Sequence, residues 1–580
     1  MEYVLLIIFF SGSYYLANEI NYRIFKDKNN EILNIFSISI IFLFIYLINS
    51  YQLILNIKGG YANYFIITII CLSSFLYFKD KLKKKTTFSL KKINYFVLII
   101  AFLYFILVGF QAQDQDSLRY HLPIAKKIID GNFFQNHWLD YTAISSHEFI
   151  NVLFLYLNID NGSSIINFIF LLLYIRATIH FCKVNGHNDC DLSNLLILLS
   201  SPYLISLLTS QKLYFLPSFL VTLIFFYLYL NHKKIDNLSL HLMGISVSFC
   251  FVTKATFAPY FIVFFILVIW LKKNKKDILF FYLCQFIFFI IIYFPILFIK
   301  SKIYDDPFIP FFSINNANYE WLNHYKFWLT AWEMDFTDKI KNPYIKLIMT
   351  PIKLIIPFKL SEIFKCLGIG MLFIFFLSYK NKHVLLLVIF FFLNVFFLFN
   401  TQTRWFLPLL ILISLLAISN KNKILKKIIQ IQSIAIIIIL IPLSLLTITQ
   451  KLNIIEREFV KKLFIDSYNI NLDLDNNYKN EKIFTSLNTF YFFKNYIPIY
   501  YPEIVLKIDK NFYIKNYRKN ILILWDQRGG GLSRFESFEK FIDKSFRCNK
   551  YKHLKEYTFN NTRFFILDKR KKINLYRLKC

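Results

Sequence analysis

The chain has 580 residues, of which 56% are hydrophobic and 18% charged, with only 13 Gly and 14 Pro. Soluble chains carry roughly 45–50% apolar and about 25% charged residues, and here the apolar residues come in runs too long for a globular core. A soluble enzyme, a disordered chain and a disulfide-stapled secreted module are excluded; the composition is that of a polytopic membrane protein. The formal charge of +31, from 67 basic and 36 acidic residues, would point to nucleic acid in a soluble protein. Here much of the lysine lies in short loops between apolar runs, where it acts as a topology signal. Nucleic acid is therefore not an expected partner.

A membrane-crossing helix needs about 20 mostly apolar residues. In chain order such runs fall near 2–19, 33–52, 61–78, 93–110, 163–182, 192–209, 213–231, 238–254, 258–271, 278–299, 363–379, 384–400, 405–420 and 428–448, which predicts about fourteen crossings. The first run has no small-residue cleavage site and no basic start, so it reads as a retained helix. The loop 79–92 holds seven lysines, and basic loops also follow residues 22, 232, 271, 379 and 420. One assignment, with the N-terminus outside, puts all of them in the cytoplasm. Arg176, towards the cytoplasmic end of its helix, reads as an anchor.

Three long segments then fall outside: 111–162, 300–362 and the tail 449–580. Within the first, the run 148–157 is too short to span and is expected at the membrane surface or re-entering. Within the second, 344–360 has the spaced lysines of an interfacial helix, and Asp306 reads as solvated surface. The tail carries strand-like runs at 520–526 and 563–568, which predict a small α/β domain. The expected architecture is mainly α: extra N-terminal transmembrane helices over 1–92, a transmembrane core over 93–450 and a C-terminal extracytoplasmic α/β domain over 451–580.

The first external segment begins QAQDQDSLRYHLP. Asp114 and Asp116 stand where the chain leaves the apolar phase, with a helix expected to start near Ser117. Two carboxylates two residues apart can share a divalent cation such as Mg or Mn, or one can act as a general base. Tyr120 and His121 follow within two turns. Two basic residues close apolar segments on the same side: Lys254 in GISVSFCFVTKATFAP and Arg404 in TQTRWFLPLL. Each reads either as a snorkelling anchor or as a functional charge, because ionisable groups near membrane depth are costly and often functional.

The run D-S-L-R-Y-H-L-P just outside a membrane helix resembles the first external loop of GT-C glycosyltransferases, in the branch with protein O-mannosyltransferases and aminoarabinose transferases. The Thr253–Lys254 pair and the element Arg404–Trp405–Leu407–Pro408 are similar to two further motifs of that family, and the likeness covers roughly residues 93–450. It implies a polyprenyl-phosphate sugar as donor and a glycan, lipid or protein as acceptor, at the outer face of a bacterial inner membrane. Asp116 would be the catalytic carboxylate and Asp114 an auxiliary acid. Lys254 and Arg404 would lie near the carrier phosphate, with Tyr120 and His121 shaping the sugar site. The chain departs from the family pattern at 144–149, where it reads ISSHEF, and at the turn Ser210–Gln211–Lys212, where the family often has an acid. Two other readings remain: a polymerase or ligase of polyprenyl-diphosphate glycans, and a transporter or flippase.

Overall fold

An apolar run in an apolar phase has one stable single-segment form, the α-helix, because it satisfies its backbone hydrogen bonds internally. A computed structural model of the chain describes residues 1–25, 30–57, 60–83, 94–110, 117–131, 133–135, 144–184, 192–231, 235–272, 274–304, 306–308, 342–357, 360–377, 382–398, 403–417, 423–465, 468–479, 481, 483–485, 496–498, 521–526, 538–539, 542–543, 550–563 and 566–579. Most of them are helical. In chain order the helices are α1 (Glu2–Phe25), α2 (Glu31–Ile54), α3 (Tyr61–Lys83), α4 (Tyr95–Leu107), α5 (Leu122–Ile129), α6 (Ser146–Tyr156), α7 (Gly162–Val184), α8 (Leu196–Leu199), α9 (Pro202–Leu208) and α10 (Phe215–Asn231). They continue with α11 (Asn237–Thr253), α12 (Ala258–Leu271), α13 (Lys275–Tyr304), α14 (Pro343–Ile355), α15 (Lys382–Leu398), α16 (Leu407–Leu416), α17 (Lys423–Lys451), α18 (Arg457–Phe464) and α19 (Tyr468–Asn477).

Among the described residues, six helices are long and apolar enough to cross a membrane: α1, α2, α3, α7, α13 and α17. The chain is thus a mostly helical membrane protein. The remaining apolar runs form helices of 10–17 residues or break. The run 192–209 breaks at Ser200–Ser201, ahead of Pro202, whose ring disfavours helical backbone in the residue before it. The run 363–379 forms 3-10 turns, Leu360–Lys365 and Ile369–Phe376, separated at Cys366–Gly368.

The chain divides into two compact units. The first joins Met1–Ala112, Ser145–Ile299 and Trp332–Ile448, so the N-terminal helices pack with the later apolar ones. Polar groups mark their contacts. Between α1 and α2, Asn21 donates to Asn34 at 2.6 Å and accepts from the Ser37 hydroxyl at 2.7 Å. Asn49 of α2 accepts from Asn63 of α3 at 2.8 Å and donates to the Phe149 carbonyl of α6 at 3.1 Å. Such interhelical bonds average about 0.6 kcal/mol in a bilayer, so they fix register more than they supply stability. The segment 146–154 is buried along its whole length, packed on α2 and α7. It is therefore an interior helix of the first unit. Arg176 is more than an anchor: its Nη2 meets Glu31 at 2.5 Å and donates to the Tyr14 hydroxyl at 2.7 Å, tying α7 to α2 and α1.

The two broken segments meet. Gln432 of α17 donates to the Ser200 carbonyl at 2.8 Å and accepts from the Ile369 amide at 2.5 Å. The Tyr203 amide donates to the Cys366 carbonyl at 3.1 Å. Each break frees backbone groups that the apolar phase leaves unsatisfied, and one amide side chain plus the opposite break answers them.

The second unit joins Gln113–Ile144, Lys300–Ala331 and Thr449–Cys580. It holds strands β1 (Ile483–Thr485), β2 (Tyr496–Pro498), β3 (Leu522–Asp526), β4 (Tyr551–Arg563) and β5 (Ile566–Leu578) in the order β2-β1-β3-β5-β4. β1 runs parallel to β2 and β3, while β5 runs antiparallel to β3 and β4. The alternation of a strand sends Ile523 and Trp525 to one apolar layer and Leu522 and Leu524 to the other, which is why this stretch reads as a continuous apolar run. The run 563–568 is not one strand: Arg563 ends β4 and pairs with Ile566, which starts β5. Asp306 is fully buried and accepts from the Phe308 amide at 3.0 Å, so it is a turn-forming group and not solvated surface.

Two outcomes follow. Gly368 has φ +88°, and a Cβ there would stand 2.7 Å from Gln432 Oε1, so Gly368→Ala should cost about 1–3 kcal/mol and lower the melting temperature in detergent. An unchanged melting temperature would show that the break does not need glycine. In the sheet unit, burial raises the Asp473 pKa, but hydrogen bonds from Tyr557 and Lys555 outweigh it and hold the carboxyl below its usual value. A depressed folded pKa gives stability that is present above about pH 4 and lost as pH falls through the folded value. Asp473→Asn should therefore destabilise at neutral pH and match the wild-type chain in strong acid, as read by unfolding at a series of pH values.

Candidate functional site

Three chain segments of the first unit converge on one aromatic ring. Helices α10 and α11 form a hairpin and α10 also packs along α16, with the Thr222 hydroxyl donating to the Pro408 carbonyl at 3.1 Å. That arrangement gathers the start of α10, the end of α11 and the turn before α16 at one end of the group. Tyr214 stands immediately before α10. Lys254 follows α11 in extended backbone (φ −157°, ψ 118°), where Pro259 two residues into the next helix start helps to separate α11 from α12. Arg404 and Trp405 lie on the 3-10 turn Thr403–Phe406.

The Lys254 ammonium lies 4.3 Å from the Tyr214 ring centroid and the Arg404 guanidinium carbon 5.5 Å from it. Both fall within the roughly 6 Å of a cation–π contact, each worth about 0.5–2 kcal/mol. Arg404 also covers the Trp405 ring at 4.7 Å, and Trp405 meets Tyr214 edge-on at 5.8 Å. The phenol is 1% exposed, and its hydroxyl interacts with the Lys254 side chain. Two cations held within about 10 Å of one another repel by at least roughly 1.5 kcal/mol at an effective dielectric near 20. The ring offsets that repulsion, and a tetrahedral oxyanion between the two charges would reverse it. Lys254 meets no carboxylate among the described residues.

Beside this group lies a buried polar turn. The Glu148 carboxylate accepts from the Ser145 amide at 2.8 Å and hydroxyl at 2.9 Å, and meets His147 Nε2 at 2.8 Å. The next residue, Ser146, bonds the Thr253 hydroxyl at 2.8 Å, one position before Lys254. The departure at 144–149 is therefore a capped helix start that braces the end of α11.

Of the expected site residues, Lys254 and Arg404 come together. Tyr120 and His121 belong to the second unit, on the turn Ser117–His121 that leads into α5, with ring centroids 4.1 Å apart and His121 buried. Asp114 and Asp116, the expected acid pair and Mg or Mn ligands, lie outside the described residues. Tyr214 was missed: it is one of 38 tyrosines and no motif marks it. The available signal is that the turn 210–212 falls on the same side as Lys254 and Arg404 once the loops are assigned.

Tyr214→Phe keeps the ring and removes only the hydroxyl that Lys254 meets, so it should cost no more than about 1 kcal/mol. Tyr214→Leu loses both cation contacts and should cost about 1–4 kcal/mol, measured by thermal unfolding in detergent. Equal losses in the two variants would contradict the cation contacts. In comparisons with protein-family models, curated proteins and solved structures, the chain matches none.

Proposed function

We propose that the chain is an inverting glycosyltransferase of GT-C type, which moves a sugar from a polyprenyl-phosphate carrier to a glycan, lipid or protein acceptor at the outer face of a bacterial inner membrane. The observation that carries this reading is the convergence of Lys254 and Arg404 on Tyr214. A leaving carrier phosphate needs cations where its charge develops, and the guanidinium fork suits two phosphate oxygens at once. In this reading the acceptor oxygen attacks the anomeric carbon while its proton passes to the Asp116 carboxylate, assisted by Asp114. The bond from the anomeric carbon to the carrier phosphate breaks, and its electron pair leaves with the phosphate, facing Lys254 and Arg404. Tyr120 and His121 shape the sugar site. The shorter apolar helices complete about fourteen crossings, with the N-terminus and the α/β tail outside.

Two observations favour alternatives. The paired breaks at Ser200–Ser201 and Cys366–Gly368, joined through Gln432, resemble the discontinuous helices of transporters, and a transporter or flippase is the second reading. A polyprenyl-diphosphate polymerase or ligase would use the same cations on a larger substrate. Cys182 is disulfide-bonded on the face that the lysine loops assign to the cytoplasm, where disulfides are rare, so the inverse orientation is also tested.

In liposomes with polyprenyl-phosphate sugars and a cell-glycan extract, the wild-type chain should release free carrier phosphate. Asp116→Asn should lower the rate by about 10²–10⁴-fold, and Lys254→Met or Arg404→Met by about 10²–10³-fold. Carrier movement across the bilayer without release of phosphate would replace this reading with the transporter. A reporter fused to the C-terminus should be reached from outside the cell; protection there would reverse the orientation.

A further inference from the structure

The turn that presents Tyr214 is held by two buried amide side chains of no assigned role. Asn167, fully buried in the second turn of α7, donates to the Lys212 carbonyl at 2.8 Å and accepts from the Phe215 amide at 3.2 Å, so it clasps the backbone on both sides of Tyr214. The Lys212 carbonyl also accepts from the Tyr214 amide at 3.0 Å. Gln211, also fully buried, accepts from the Ser163 amide at 3.0 Å and donates to the Ser164 hydroxyl at 3.0 Å, and that hydroxyl donates back to the Ser210 carbonyl at 3.2 Å. The first two turns of α7 and the stretch 210–215 are thereby locked together by five bonds through side chains, where apolar residues would fill the same volume without fixing orientation.

We propose that Asn167 and Gln211 are positioning residues that set the Tyr214 ring at the place where it holds Lys254 and Arg404 at a separation fitted to one phosphate group. The ring touches both cations, so a tilt of the turn moves both at once. Loss of either amide releases backbone groups that have no water to turn to, and the turn then relaxes into another arrangement. The placement of the ring stands without any assumption about the ligand; the phosphate part of the inference rests on the transferase reading.

The test uses the full chain in lipid nanodiscs, with two readouts. The first is fluorine NMR of fluorotyrosine incorporated at residue 214. Its resonance should shift in Lys254→Met, which identifies the cation contact, and should shift also in Asn167→Ala and in the volume-conserving Gln211→Met. The second is binding to phosphatidylcholine vesicles with and without added polyprenyl phosphate. Asn167→Ala and Gln211→Met should each weaken the polyprenyl-phosphate-dependent binding about tenfold, and neither should weaken it further once Tyr214→Leu is present, because residues acting through a common partner are not additive.

A resonance that overlays the wild type in both amide variants overturns the inference, as does full additivity with Tyr214→Leu. If the wild-type chain binds both vesicles alike, the transferase reading falls, while the fluorine resonance still decides whether the two amides place the ring.

Discussion

A polar group buried inside this helix bundle is costly unless a second polar group answers it, since neither the apolar interior nor a hydrocarbon phase around it offers water. That constraint organises the first unit. Asn21 with Asn34, Asn49 with Asn63 and Gln432 with two helix breaks are each a local solution to it. The same rule makes the turn 210–214 rigid, because its carbonyls and amides are spoken for by α7. A rigid turn is what a buried ring needs if it is to hold two charges that repel each other.

Electrostatics then supplies what packing leaves open. A lysine and an arginine 150 positions apart in the chain would separate in water. Against one buried aromatic ring, each gains from a cation–π contact. Bracing on the Lys254 side comes from Ser146 and Thr253, and on the Arg404 side from the Thr222 bond to α16. Helix ends, a proline-limited hairpin and a few hydroxyls are enough to aim both cations, with no dedicated loop required.

The helices were legible wherever length and hydropathy alone decide, as in α1, α2, α3, α7, α13 and α17. Their continuity was not legible where a distant residue decides: Gln432 answers breaks at Ser200 and Gly368 inside runs that the local sequence reads as unbroken, and α2 buries α6. The start of a helical turn at Ser117 and the strand within 520–526 were legible from local pattern. The junction of β4 and β5 was not, because the end of one strand and the start of the next read as one apolar run. Lys254 and Arg404 stood out because both close apolar segments on the side opposite the lysine-rich loops. Tyr214 did not, since an aromatic at a helix start is ordinary in a chain that is 20% aromatic, and its meaning comes only from what two other segments bring to it.

Everything proposed for this site depends on Arg404 and its neighbour Trp405 meeting Tyr214, on which Lys254 also lies. A photo-crosslinking amino acid in place of Trp405, activated in the native membrane and mapped by mass spectrometry, addresses it most directly. Adducts are expected on the peptide that contains Tyr214. Adducts confined to other segments, with none on that peptide, would contradict it.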